Sequence, residues 1–178
     1  MAALPDLITV EQFRRLPERG EYCYELHQGA VVAVTRPKTR HIMQQVRFVD
    51  LLQPKLAGFG RVIMEFPYRP LPEFELRAAD VALVSRERWS AADPDDNLHG
   101  APELVIEVMS PSNTKAKPRD TISLCLANGS LECWIVNTKQ KSITVVRKDG
   151  TTSVYGGETE IPLTAFGGDS LRLADIFQ

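Results

Sequence analysis

Cysteine is scarce and poorly spaced for structural work. Cys23, Cys125 and Cys133 are odd in number and contain no CxxC pair, which argues against both a disulfide framework and a structural zinc site. All three sit in apolar contexts, where a free thiol behaves as a small hydrophobe, and a reducing, cytoplasmic setting is the expectation. Long apolar runs are missing too: no stretch approaches the roughly 18 residues a membrane span needs. Met1 to Asp6 lack the basic start and apolar core of a signal peptide, so a protein neither exported nor anchored in a membrane is expected. There is no excess of positive charge, since the net charge is -2. Contact with nucleic acid would have to come from a local basic surface, for which Arg36, Lys38, Arg40, Lys115, Lys117 and Arg119 are available.

Several chemistries lack their signatures. Neither a phosphate-cradling glycine loop nor a dinucleotide fingerprint occurs. Ser110 with Lys115 has no glycine-rich oxyanion loop beside it. Asp93 to Asn97 lacks the sixth-position glycine and closing glutamate of a calcium loop, and reads as a solvated acidic loop.

What remains is a chain of 178 residues, 43% hydrophobic and 25% charged, enough for one domain with a real core. Thr9 and Gln12 have capping-box spacing ahead of a short helix that ends before Pro17. Tyr22 to Leu26 and Val31 to Thr35 form a hairpin about His27-Gln28-Gly29. From His41, apolar residues at Ile42, Val46, Val49, Leu52 and Leu56 recur at helical spacing, with Gly58 and Gly60 ending the run. Val62 to Phe66, Glu75 to Val84 and Glu103 to Met109 read as strands, with a polar connection over Ser85 to Gly100. Pro118 suits the first position of a helix closed by Gly129. Further strands follow at Cys133 to Val136, Ser142 to Arg147 and Thr152 to Tyr155, and then an irregular tail with a short helical turn. The predicted class is α/β or α+β, a mixed sheet flanked by helices.

Two residues break the apolar pattern. Asp80 lies inside Ala78 to Val84, and Glu107 inside Glu103 to Met109. An ionised carboxylate in a buried strand costs several kcal/mol unless it is paired, protonated or metal-bound. If the strands are neighbours, opposed side chains stand roughly 5 Å apart and both carboxylates can hold one Mg²⁺ or Mn²⁺. Pairing with an arginine such as Arg77 is the alternative.

The order Tyr24-Glu25-Leu26, Gly29, His41, Arg77, Asp80-Val81, Ala101 to Ser112, Gly129 and Trp134-Ile135-Val136 resembles the Uma2 (DUF820) family of the restriction-endonuclease-like superfamily. The resemblance implies a single endonuclease domain over residues 1–178, with a mixed sheet, an N-terminal hairpin and additional C-terminal strands. Asp80 and Glu107 would be metal ligands, and Mg²⁺ (or Mn²⁺) would activate water against a DNA phosphodiester. Glu25 and His41 would stand at the rim of that site, and a homodimer would suit two cuts in a duplex.

Departures from the pattern weigh against this. The lysine usual two residues beyond the glutamate is Met109, and the position from which Uma2-like chains supply it instead is Thr121. Cys125 replaces an aromatic, and Ala79 replaces the proline before the aspartate. Lys117, four residues before Thr121, is the first candidate to supply the missing cation and Lys115 the second. A catalytically silent domain that binds nucleic acid or protein, and a hydrolase of a smaller phosphoester, both stay open.

Overall fold

A computed structural model describes residues 7–17, 23–109 and 116–178, with side chains in the last span from Asp120 onward. Helix α1 (Val10–Arg14) starts with the expected capping box, Thr9 receiving the Gln12 backbone N–H and Gln12 reaching back to the Thr9 N–H. Strands β1 (Cys23–His27) and β2 (Ala30–Val34) form a hairpin through Gln28 and Gly29. Both turn residues have positive φ (50° and 79°), the geometry that matches the twist of the flanking strands. Tyr22, where this strand was expected to begin, lies outside the described residues.

Helix α2 (Thr39–Leu56) leads into the central sheet, made of β3 (Gly60–Arg69), β4 (Arg77–Ser85), β5 (Leu98–His99), β6 (Leu104–Val108), β7 (Glu132–Asn137), β8 (Ser142–Arg147) and β9 (Thr152–Gly156). The sheet has seven strands in the order β5-β3-β4-β6-β7-β8-β9. It is mixed: β6 and β7 run parallel, joined by the crossover helix α4 (Ala116–Ala127), whereas β4 is antiparallel to both neighbours. At Gly60 an added Cβ would meet the Val84 carbonyl oxygen at 1.9 Å, so only glycine lets β3 begin this close to β4.

Both faces of the inner strands are covered, and their sequences are therefore nearly continuous apolar runs. On one face Phe48, Leu52 and Leu56 of α2 pack with Val81, Leu83, Leu104, Ile106 and Trp134. On the other, Ala82, Val84 and Val105 pack with Tyr68, Cys133 and Cys125, the last from α4.

Three expectations need correction. The connection from Ser85 is not wholly irregular, because it holds α3 (Arg86–Ala91), capped by Ser85, and the edge strand β5. The tail contains an antiparallel pair, β10 (Glu160–Pro162) with β11 (Ser170–Arg172), ahead of α5 (Leu173–Ile176). Helix α4 begins at Ala116, so Pro118 is its third residue, where the missing N–H is still one of the orphan donors of a first turn. The loop Ser110 to Thr114 and Lys115 lie outside the described residues.

The acidic loop is anchored as well as solvated. Asp96 accepts from Arg69 at 2.8 Å and from His99 at 2.9 Å, and also pairs with Arg14. Burial disfavours its charge, but hydrogen bonds from Arg14, His99, the Asn97 N–H and Arg69 outweigh it and hold the carboxyl far below its ordinary value. A depressed acid stabilises the fold above its unfolded pKa of about 3.9, and this contribution fades as pH falls towards the folded value. Asp96→Asn is therefore expected to melt below the parent at pH 7, with the gap narrowing below about pH 4. Thermal unfolding across pH measures it, and a pH-independent gap would refute the assignment.

Candidate metal and catalytic site

Antiparallel pairing of β4 with β6 joins Val81 to Ile106, and the next step in that register sets Asp80 opposite Glu107. The two strands part here, and Asp80 lies in the fork. Its Oδ2 accepts the Val108 N–H at 2.6 Å, while Oδ1 meets His41 Nε2 at 2.8 Å and the Gln45 amide at 3.1 Å. On the other side of β4 the ladder to β3 runs Met64 with Val81 and then Phe66 with Ala79. The intervening Glu65 has φ 50° and breaks the pairing beside Asp80.

His41 and Gln45 are four apart on α2 and thus share one face. Ligand atoms of His41, Glu65 and Asp80 lie within 4.8 Å of one another. The hydrogen bond to Asp80 raises the His41 pKa above its ordinary value, burial opposes the rise, and the charges of Asp80 and Glu65 add to it.

Glu107 is half-buried. Burial, followed by the charges of Asp80 and Glu25, pushes its carboxyl well above the usual range, and Arg77 opposes this. Glu25 comes from the N-terminal hairpin, docked where Leu26 and Leu76 exchange backbone hydrogen bonds at 2.9 Å. Its carboxylate meets His27 at 2.5 Å.

Arg77 does not pair with Asp80. It is 7% exposed and bonds Glu75, itself fully buried, through Nε at 2.8 Å. A second nitrogen, Nη1, donates to Thr121 Oγ1 at 3.1 Å. Thr121 is the position from which a lysine was expected, so an arginine from β4 reaches the point that a helix residue leaves uncharged. Lys117 falls in the first turn of α4, and its side chain lies outside the described residues.

Other buried carboxylates each have an arginine: Glu75 with Arg77 at 2.8 Å, Glu103 with Arg88 at 3.3 Å and Glu132 with Arg147 at 3.1 Å. Among the described residues no arginine or lysine pairs with Asp80 or Glu107, and the ion-pair partner of Asp80 is the His41 imidazole. A carboxylate group this short of positive charge fits a divalent cation. Gln45, Glu65 and the Arg77–Glu75 pair were not recognised from sequence as parts of this site. Glu65 carried a usable signal, a carboxylate within the apolar run Val62 to Phe66, the same signal that marked Asp80.

A mixed sheet presenting carboxylates from adjacent inner strands, beside the start of a long helix, is suited to metal-assisted hydrolysis. The chain belongs to the Uma2 family, whose model, described as "Putative restriction endonuclease", matches residues 10–174. Its fold is similar to that of "a putative nuclease belonging to DUF820 from Anabaena variabilis ATCC 29413", with a TM-score of 0.80 and 21% sequence identity, over 96% of this chain and 97% of the other. No curated protein matches the chain. No helix among the described residues is long and apolar enough to cross a membrane.

Proposed function

We propose that the chain acts as one nuclease domain that hydrolyses DNA phosphodiester bonds with a divalent cation, Mg²⁺ or Mn²⁺. The observation that carries this reading is a contrast among the described residues: the buried Glu75, Glu103 and Glu132 are each neutralised by an arginine, whereas the half-buried Asp80 and Glu107 pair with none. Asp80 and Glu107 would hold the ion, with Glu25 adding negative charge from the hairpin. A bound ion supplies acidification of a water and neutralisation of charge on the phosphate.

Each protein group then has a distinct task. Val108 N–H and His41 fix the two oxygens of Asp80, so the carboxylate is held before substrate arrives. Arg77, held by Glu75, provides a fixed positive charge near Glu107 where Met109 and Thr121 offer none. Lys117 is a second source of charge from α4. Arg36, Lys38 and Arg40 are exposed at the approach to His41 and would meet backbone phosphates. A two-fold dimer in a reducing cytoplasm, where the three cysteines stay free, would cut both strands of a duplex.

Met109 and Thr121 favour a second reading, a silent domain that binds without cutting. Supercoiled plasmid and single strands incubated with Mg²⁺, Mn²⁺ or chelator, beside Glu107→Ala, separate the two. Metal-dependent cutting that Glu107→Ala abolishes is expected. Cutting that survives this substitution would remove Glu107 from the site, and binding without any cutting would establish the silent reading.

A further inference from the structure

Arg14, Arg69, Arg77, Arg88 and Arg147 each pair with a carboxylate. Arg61 and Arg86 do not. They stand together on a recess of about 340 Å³, whose lining also includes Gln53, Trp89 and Ser90 and contains no acid. Both guanidinium groups belong to exposed residues. Arg61 has no hydrogen bond or ion pair among the described residues. Arg86 donates from Nε and Nη2 to the Ala57 carbonyl oxygen, which leaves Nη1 without an acceptor among the described residues. Trp89 lies three residues after Arg86 on α3 and so shares its face. The indole is 44% exposed, and its ring centroid is 6.2 Å from that of Phe66 at a tilt of 41°. Phe66 braces the ring and leaves much of it open.

From this arrangement we infer a binding site for one nucleotide of a single-stranded nucleic acid, in which the base stacks on Trp89 and the phosphate meets Arg61 and Arg86. Two cations with no counter-charge call for an anion, and an open indole beside them calls for a flat ring on the same ligand. A nucleotide carries both. Duplex bases already stack on one another, so the site takes an unpaired strand or a frayed end. Ser90 and Gln53 add polar edges, and a recess of this volume is at the small end of ligand pockets, the scale of one nucleotide rather than a helix.

The site lies apart from the acidic fork but on the same strand. Arg61 pairs with Val84 in the β3–β4 ladder, and four residues further along β3 Glu65 interrupts that ladder beside Asp80. At about 3.3 Å per residue the separation is roughly 13 Å, or about four stacked nucleotides at 3.4 Å each. One strand can therefore occupy the recess and reach the fork. The choice of a polynucleotide over a free nucleotide rests on the nuclease reading, but binding is measured without metal and without cutting.

Tryptophan emission reports the site directly. The chain has two tryptophans, and Trp134 is fully buried with its N–H on Glu132, so quenching by a stacked base arises at Trp89. In chelator, a single-stranded oligothymidylate of about 10 nucleotides is expected to quench the intact protein. Trp89→Leu should weaken its binding, followed by anisotropy of a labelled strand, by at least about 10-fold, whereas Trp89→Phe, which keeps a flat ring, should stay within about 3-fold of the parent. Arg61→Gln should lower the salt slope of binding by about 1, and Arg61→Lys should preserve it. A duplex of the same length should be indifferent to Trp89→Leu. Absence of quenching in the parent would overturn the site without any variant. An equal loss for duplex and single strand in Trp89→Leu would reduce it to general surface charge and overturn the stacking role. Thymidine monophosphate binding as tightly as the oligonucleotide would overturn the assignment to a strand. Parent protein that cuts nothing but is quenched in chelator would remove the nuclease reading and leave this site standing.

Discussion

Asp80→Asn is expected to lower divalent-ion affinity and metal-dependent cutting by at least about 100-fold while leaving the fold intact. Asparagine keeps the side-chain shape and an oxygen for the Val108 N–H, but it removes the charge that answers the cation. Asp80 has the largest effect because it is the point common to both sides of the fork: Oδ2 is tied to β6, and Oδ1 faces His41 and Gln45 of α2. Substitution at Glu107 or Glu65 touches one side only. Calorimetric titration with Mn²⁺ and a plasmid assay, with the melting temperature as a check on folding, measure the outcome. Unchanged metal affinity would show that the fork holds no ion.

Glu75→Ala is expected to destabilise the protein by about 3–5 kcal/mol, since it leaves the nearly buried Arg77 without its counter-charge. Glu75 also accepts the Gln28 backbone N–H at 3.0 Å, so it joins the turn of the hairpin bearing Glu25 to the start of β4. Its removal should therefore loosen the hairpin and free the arginine together. Urea denaturation gives the free energy, and a loss below about 1 kcal/mol would mean that solvent reaches Arg77 readily. Replacing both Glu75 and Arg77 by apolar residues should restore much of the stability without restoring cutting, because an apolar pair fills space but carries no charge to Glu107.

Much of this arrangement was legible in the sequence. Strand β8 falls where the apolar alternation put it, at Ser142–Arg147, and the fold class follows from strands interrupted by two substantial helices. Asp80 and Glu107 stood out because a carboxylate in a buried run needs a reason to be there. Glu65 sits in a comparable apolar run, but its side chain is exposed in the folded strand, so no burial cost attaches to it. Its proximity to Asp80 depends on a positive φ that no local pattern announces. Gln45 is a neutral residue on a helix, and nothing in its spacing reveals an unpaired buried oxygen.

The tail was misread for a different reason. Strands β10 and β11 are three residues each, and one contains Pro162, so the period of two never repeats enough to register. Helix α3 is a short six-residue turn of chain whose signals are swamped by the polar loop after it. Arg77 was considered as a partner for Asp80 because the two are close in sequence. The guanidinium instead turns to Glu75, two residues back, and to Thr121, which the fold brings within reach from α4.

A crystal of the parent protein grown with Mn²⁺, with anomalous scattering recorded near the manganese absorption edge, tests the central claim most directly. Anomalous density in contact with the Asp80 carboxylate, lost in Asp80→Asn, is the predicted result. Density only at other surface carboxylates, or none at a concentration that supports cutting, would contradict it.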